Sequence, residues 1–430
     1  MFSTFKKIVR GVVPSSLLDP FLVVYHQVLA IGATLIYGAP ARGLFVIGVT
    51  GTKGKSSVVE MVNAILEEAG YTTTVVSTIR FKVGKESRPN PFKMTMPGRG
   101  FIQSILSKAR KNKCTHAIVE VTSEGARQGR HVGLFFDALV FTNIAREHIE
   151  SHGSFENYKA AKLAIGNALL KSSKRPRTVV ANPEDELGAR FLKLPVEKVV
   201  PFSLPDAHPY TLSDSEISFT LDGSTITAPF PGEFTILNAL AAAKLTNALG
   251  IETPVIARAL RGLKKIPGRV EKIERGQDFL AIVDYAHTPD SLKALYSAFP
   301  ERKKLCVLGN TGGGRDSWKR PEMGRIADEE CMSVILTNED PYDENPDEIV
   351  TAMARGMKRS PRIIMDRREA IRTALLEAKS GDAVLVTGKG TDPYIMGRAG
   401  EKMPWSDAVV VSEELAKLGY KKTFETSGQG

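Results

Sequence analysis

The run Gly48-Val-Thr-Gly51-Thr-Lys-Gly54-Lys55-Ser56-Ser57 is the first stretch whose residue types and spacing could do chemistry. Its glycines let successive backbone N–H groups turn toward a phosphate chain. Lys55 can pair with the outer phosphates, and the Ser56 hydroxyl can reach Mg²⁺. Gly51, Thr52, Lys53, Gly54, Lys55, Ser56 and Ser57 are therefore the expected nucleotide-binding residues. The strict G-x-x-x-x-G-K-[ST] spacing is not met, because Val49 stands where the first glycine belongs. A glycine-rich turn with a surface lysine would share this composition, but not its place between a strand and a helix.

Those residues need a frame. Leu44–Val49 is a short apolar run entering the loop, and Ser57–Ala69 has helical apolar spacing that stops at Gly70. Ala117–Val121 and Ala138–Thr142 are further short apolar strands, each running straight into polar residues. This is the pattern of a parallel sheet whose active edge lies at the strands' C-terminal ends. Ser213–Pro229 alternates around Asp222-Gly223, which predicts a hairpin, and Leu237–Leu249 predicts a helix ending at Gly250. After Pro267-Gly268, strands near 279–283, 304–308, 333–337 and 383–387 alternate with helical segments. The expected fold is α/β: a P-loop ATPase domain with a parallel sheet over 44–266, then a Rossmann-like α/β domain over 267–430. A short helical segment, 1–43, precedes them.

With 430 residues, two or three domains are expected, and 42% hydrophobic and 25% charged residues suit a globular chain. The net charge of +10 is spread along the whole length without a basic block. That favours small phosphorylated or carboxylated ligands over nucleic acid. Cys114, Cys306 and Cys331 lie far apart with no C-x-x-C pair, so neither a disulfide nor a zinc ribbon is expected, and a reducing compartment fits. Phe21–Ala39 is largely apolar but is interrupted by His26, Gln27 and Thr34 and followed by Arg42. A helix docked on the protein or lying on a membrane surface is expected there rather than a span.

The most specific stretches are Phe141-Thr-Asn-Ile-Ala-Arg-Glu-His148-Ile-Glu-Ser-His-Gly-Ser-Phe-Glu-Asn-Tyr158-Lys-Ala-Ala-Lys162 and Val119-Glu120-Val-Thr-Ser123. With them the sequence closely resembles the Mur ligase family. Val283-Asp-Tyr-Ala-His-Thr-Pro-Asp290, Gly309-Asn-Thr-Gly-Gly-Gly-Arg315-Asp316 with Lys319-Arg320-Pro321, and Gly388-Lys-Gly390 follow in the family's order. The resemblance runs from about 44 to 410, and its motifs are specific only in combination. It implies an ATP-dependent ligase that adds an amino acid to a UDP-N-acetylmuramoyl-dipeptide through an acyl phosphate. Its cofactors would be ATP and Mg²⁺, and it would be cytoplasmic, monomeric and free of nucleic acid.

The resemblance also implies roles. Lys55, Glu120, His148 and Lys162 would be catalytic; Ser56, Glu120, His148 and a carbamate on Lys162 would hold the metal. Asn238 would contact adenine, although Thr235 replaces the family's usual preceding asparagine. Arg269, Asp284, His287 and Arg315 would close over ATP. Thr95, Ser123, Arg130, Asp340, Tyr342, Gly388 and Asp392 would contact the other substrates. Taken alone, Glu120 and His148 would be solvated loop residues, Lys162 an exposed helix lysine and His287 a structural histidine.

Three positions depart from the family pattern. About 44 residues precede the loop, too few for a complete uridine-nucleotide domain. The diaminopimelate-type D-N-P-R reads Glu339-Asp340-Pro341-Tyr342, and G-K-G-H-E reads Gly388-Lys-Gly-Thr-Asp392. A phenol at 342 cannot form the bidentate ion pair of an arginine. A basic diamino acid is therefore expected before diaminopimelate. The competing expectations are a folylpolyglutamate or poly-amino-acid synthetase, and a protein using ATP only as a regulatory ligand.

Overall fold

The computed structural model describes residues 15–98, 100–147, 149–314 and 316–421. The chain divides into two compact units. The first comprises Met1–Ala145, Glu156–Ser203 and Leu240–Ile256, the second Arg146–Phe155, Leu204–Ala239 and Ala257–Gly430.

In the first unit, helix α1 (Ser15–Ile36) precedes strand β1 (Phe45–Thr50) and helix α2 (Lys55–Glu68). Then come β2 (Thr73–Val76), β3 (Arg80–Val83), β4 (Glu86–Pro89), helix α3 (Phe101–Lys111), β5 (His116–Glu120) and β6 (Ala138–Phe141). Helix α4 (Phe155–Leu170), β7 (Thr178–Ala181) and β8 (Lys198–Pro201) follow. The strands form one sheet in the order β4-β3-β2-β5-β1-β6-β7-β8. From β2 to β8 all neighbours are parallel, while β3 and β4 form an antiparallel edge that the expected all-parallel sheet lacked. Val46, Val49, Ile118, Val119, Leu139 and Val140 are fully buried, as befits parallel strands covered on both faces.

Between the central strands, Gly48 admits its neighbours: a Cβ there would lie 2.5 Å from Leu139 Cδ2. Register pairs Val49 with Glu120 and Thr50 with Phe141. The C-terminal ends of β5, β1 and β6 therefore lie side by side, which puts Glu120, the glycine loop and Thr142 at one edge.

In the second unit, β9 (Tyr210–Leu212), β10 (Ile217–Leu221) and β11 (Ser224–Ala228) form an antiparallel sheet. Asp222 and Gly223 have φ of 47° and 76°, the left-handed pair that a two-residue hairpin turn needs. A second sheet has the order β12-β13-β17-β14-β15-β16. Its strands are β12 (Glu271–Lys272), β13 (Leu280–Asp284), β14 (Lys304–Leu308), β15 (Ser333–Leu336), β16 (Arg362–Ile363) and β17 (Ala383–Thr387). All but β12 run parallel. Two apolar clusters occupy its faces, one around Leu292, Tyr296 and Leu308, the other around Ile371, Val384 and Leu415. Strands β18 (Tyr394–Met396) and β19 (Lys402–Pro404) form a small hairpin.

Cysteine pairing corrects the sequence-based expectation: Cys306 and Cys331 form a disulfide, and Cys114 alone is free. Their 25-residue separation looked remote. It spans one strand–helix–strand crossover, however, and β14 and β15 pair side by side, which returns Cys331 to the side of Cys306. Among the described residues, no helix is long and apolar enough to cross a membrane.

Candidate active site

The glycine loop is held from behind by the β6 end. Thr52 N–H donates to Asn143 O (2.8 Å), and Lys53 N–H donates to Asn143 Oδ1 (2.9 Å). Thr142 Oγ1 donates to Lys53 O (2.6 Å). Thr52 Oγ1 also accepts from Ala145 N–H and lies 3.0 Å from the Tyr158 hydroxyl. Gly51 has φ 139°, and a Cβ there would fall 1.9 Å from Thr142 Oγ1, so only glycine fits. Gly54, with φ 81°, opens α2 without a side-chain cap. That leaves the first N–H groups of the helix suited to an anion. Lys55 Nζ donates to Thr52 O at 2.9 Å.

Glu120 is 2% exposed and accepts from Ser56 Oγ at 3.1–3.2 Å. Thr78 fixes it from the other side, through its N–H (2.8 Å) and its hydroxyl (3.0 Å). Thr78 Oγ1 is in turn 2.7 Å from Thr95 Oγ1, which joins Thr95 to the same network. Lys162 projects from α4 and is 1% exposed, not the surface lysine its helix position alone suggests. Its Nζ donates to Gly51 O (2.6 Å) and lies 4.7 Å from the Tyr158 ring centroid. Ser123 is buried one turn past Glu120. Arg130 donates to Met96 O, and burial lowers its pKa, against the opposing pull of Glu124.

The second unit gathers another group. Asp284, at the end of β13, accepts 2.7 Å hydrogen bonds from Val270 and Ala286 N–H. Burial pushes its carboxyl up, against the Arg269 guanidinium and those two donors. Arg269 lies 4.6 Å from the Tyr285 ring centroid. The Asp392 carboxylate, then burial, push the Tyr285 phenol well above its ordinary value. His287 faces two oxygens, Tyr285 O at 2.6 Å and Glu147 Oε1 at 2.8 Å. Asn238 is 8% exposed.

Asp340 is buried. It forms a buried ion pair with Lys389 (2.8 Å; side chains 2% and 0% exposed) and accepts from Met396 N–H. Tyr342 adopts φ 52° and donates its N–H to Met396 O (3.0 Å). Gly388, φ 106°, sits against Glu339, where a Cβ would come 2.2 Å from Oε2.

Residues 49–246 match the Mur ligase middle domain, and residues 268–390 match the Mur ligase, glutamate ligase domain. The chain is 33% identical over 408 residues to the UDP-N-acetylmuramoyl-L-alanyl-D-glutamate–2,6-diaminopimelate ligase of Syntrophomonas wolfei, covering 91% of this chain and 82% of that one. The chain belongs to the Mur ligase family. It is accordingly an ATP-dependent ligase by kinship, and its fold agrees with solved Mur ligases. A solved UDP-N-acetylmuramoyl-L-alanyl-D-glutamate–2,6-diaminopimelate ligase is 27% identical, with a TM-score of 0.59 over 88% of this chain and 79% of that one. Folylpolyglutamate synthase of Mycobacterium tuberculosis, complexed with ADP, has a TM-score of 0.68 over 95% and 98% of the two chains. At 16% identity it shares the fold alone.

In this Mur ligase the first unit unites the glycine loop with Glu120, Lys162 and Thr95, and it also carries Ser123 and Arg130. The second unit carries Asn238, Arg269, Asp284, His287, Asp340, Tyr342, Gly388 and Asp392. His148 and Arg315 lie outside the described residues. Sequence reasoning missed Thr78, Asn143, Lys389 and Glu339, all of which position others. Thr78 and Asn143 each lie two residues past a strand end, Val76 and Phe141, the one available signal; nothing in the sequence marks Lys389 as buried.

The residues present fit ATP with Mg²⁺. Ser56 and Glu120 are hard oxygen donors beside a helix start, and Mg²⁺ is commonly held by one or two carboxylates together with phosphate oxygens and water.

Proposed function

We propose that this chain adds an amino acid to a UDP-N-acetylmuramoyl-dipeptide at the expense of ATP, as a cytoplasmic monomer. The observation that carries this is the Ser56–Glu120 pair, braced by Thr78 beside Lys55 at the start of α2. Residues 44–266 serve as the ATP-binding domain and 267–430 as the closing and amino-acid domain. We assign a peripheral membrane contact to the segment 1–43.

Lys55, with Lys53 nearby, neutralises charge that develops on the transferred phosphoryl group. Ser56 and Glu120, with His148 and a carbamate on Lys162, would hold Mg²⁺, which would supply further neutralisation. The acceptor's carboxylate becomes an acyl phosphate, and the amine of the incoming amino acid displaces phosphate to form the amide. Thr95, Ser123 and Arg130 orient the acceptor. Arg269, Asp284, His287, Arg315 and Asn238 hold the nucleotide and exclude water from the acyl phosphate.

For the amino acid, Tyr342, Gly388 and Asp392 favour a basic diamino acid over diaminopimelate, and Asp340 supports that wall through Lys389. Glu339 supports the same choice. It is 2% exposed, accepts from Thr311 through Oε1, and its Oε2 has no hydrogen-bond donor. A buried acceptor of this kind suits an ammonium group.

The test is phosphate release from ATP with UDP-N-acetylmuramoyl-dipeptide and equal concentrations of lysine, ornithine, meso-diaminopimelate and neutral amino acids. Release that depends on the dipeptide supports the reading. Release with a folate acceptor instead would establish the folylpolyglutamate alternative, and release with no acceptor dependence would sink both. Highest kcat/KM for diaminopimelate would overturn the amino-acid assignment alone.

A further inference from the structure

The two loops of the proposed amino-acid wall leave strands that do not pair with each other. Glu339–Tyr342 lies just past β15 and Gly388–Asp392 directly follows β17, while β14 runs between those strands. The loops nevertheless meet, since a Cβ on Gly388 would stand 2.2 Å from Glu339 Oε2. The sheet's ladder sets that gap only through β14.

Two buried ion pairs bracket it. On one side Lys389 bonds Asp340, one residue beyond Gly388 and Glu339 respectively. On the other side stands Arg367, at the start of the helix Arg367–Glu377 and 1% exposed. Its Nη2 donates to Thr387 O at 2.7 Å and its Nη1 to Asn338 O at 3.4 Å, the carbonyls one residue before Gly388 and Glu339. Asp407 orients this guanidinium in a bidentate pair, from Nε (2.8 Å) and Nη2 (2.7 Å), and is itself fixed by Trp405 Nε1–H. Burial lowers the Arg367 pKa, but Asp407, then Glu339 and Asp340, raise it on balance.

A buried ion pair is often replaceable by apolar side chains of similar volume without loss of stability. Apolar side chains could not, however, donate to the carbonyls of two loops at once. We propose that Arg367 is a positioning residue for the incoming amino acid. Oriented by Asp407, its guanidinium fixes the gap between Glu339 and Gly388, where the substrate's ammonium group lies. It touches no reacting atom. This rests on the proposed assignment of the two loops to the amino acid.

The experiment is steady-state kinetics of the full chain with ATP, UDP-N-acetylmuramoyl-dipeptide and whichever of lysine, ornithine or meso-diaminopimelate the wild type uses best. Arg367→Met/Asp407→Leu removes both charges together, so no buried ion is stranded. It is expected to raise KM for the amino acid about tenfold, the scale of one hydrogen bond, and to leave KM for ATP and the dipeptide within about twofold. Arg367→Lys keeps a cation beside Asp407 but lacks the planar fork that reaches a carboxylate and two carbonyls together. It should show the same selective rise, and it serves if the double variant does not fold. An unchanged amino-acid KM in either folded variant, or a rise matched by KM for ATP, overturns the proposal. If neither variant folds, the pair serves stability alone and the proposal is equally overturned. Absence of dipeptide-dependent turnover in the wild type would overturn the proposed function, and this inference with it.

Discussion

Replacing Asp340 by alanine tests whether the second unit is built around an ion pair. Lys389 Nζ is 2.8 Å and 2.9 Å from the two Asp340 oxygens and 2.6 Å from Tyr394 O, with Asp392 at 3.6 Å. Both partners are essentially without solvent contact. Removing one member of such a pair strands a buried charge and costs about 3–5 kcal/mol. Here Met396 N–H also loses its acceptor, while Asp392 retains part of the compensation, which places the expected loss near the lower end, about 3 kcal/mol. The double variant Asp340→Ala/Lys389→Met removes the stranded ammonium and should recover most of that loss. The chain's two tryptophans, Trp318 and Trp405, both lie in the second unit, so urea denaturation followed by their fluorescence reports on that unit. A loss below about 1 kcal/mol, or a double variant no more stable than the single one, would refute the reasoning.

Lys55→Ala should keep the fold and lower ligation by about a hundredfold or more, measured as phosphate release; near-normal turnover would remove the phosphate role. Lys162→Ala should be nearly inactive and partly restored by a short-chain carboxylate in solution. A bare amine on Lys162 at saturating bicarbonate, seen by mass spectrometry or ¹³C NMR, would end the carbamate proposal. Burial, aided by Lys171, pushes the His131 imidazole down to about 4, so it stays neutral in the folded chain while the unfolded chain protonates near 6.5. Its contribution to stability is therefore complete above pH 6.5 and lost as pH falls toward 4, by an amount on the order of 3 kcal/mol. His131→Asn should flatten the pH dependence of thermal denaturation across that window, and an unchanged slope would count against it.

The strand–loop–helix order around Lys55 was legible because its apolar runs are continuous and its glycines mark the turn. The hairpin at Asp222-Gly223 and the strands of the second sheet were legible for the same local reasons. Partners from distant segments were not. Cys331 meets Cys306 only because β14 and β15 are adjacent, and Lys162 is buried only because α4 packs behind the Gly51 carbonyl. Thr78 holds Glu120 across a 42-residue separation, which no local pattern encodes. Asp340 was only half legible for a related reason: its motif marks the position, but only the fold brings Lys389 against it.

The amino-acid question turns on which cations of the second unit are already committed. Tyr342 supplies no charge, so a distal carboxylate on the substrate would need a guanidinium or ammonium drawn from elsewhere. Arg320, the nearest in the motif order, pairs with Glu344 at 2.8 Å and also donates to Asn310 Oδ1. Lys389 is held by Asp340, and Arg367 forms a buried pair with Asp407 at 2.7 Å. Diverting Lys389 or Arg367 to a substrate would strand a buried carboxylate, a cost of the same order as the ion pair gained, whereas the Glu344 partner of Arg320 is 30% exposed. An ammonium-bearing side chain meets no such penalty, because Glu339 stands beside Gly388 with an Oε2 that has no donor.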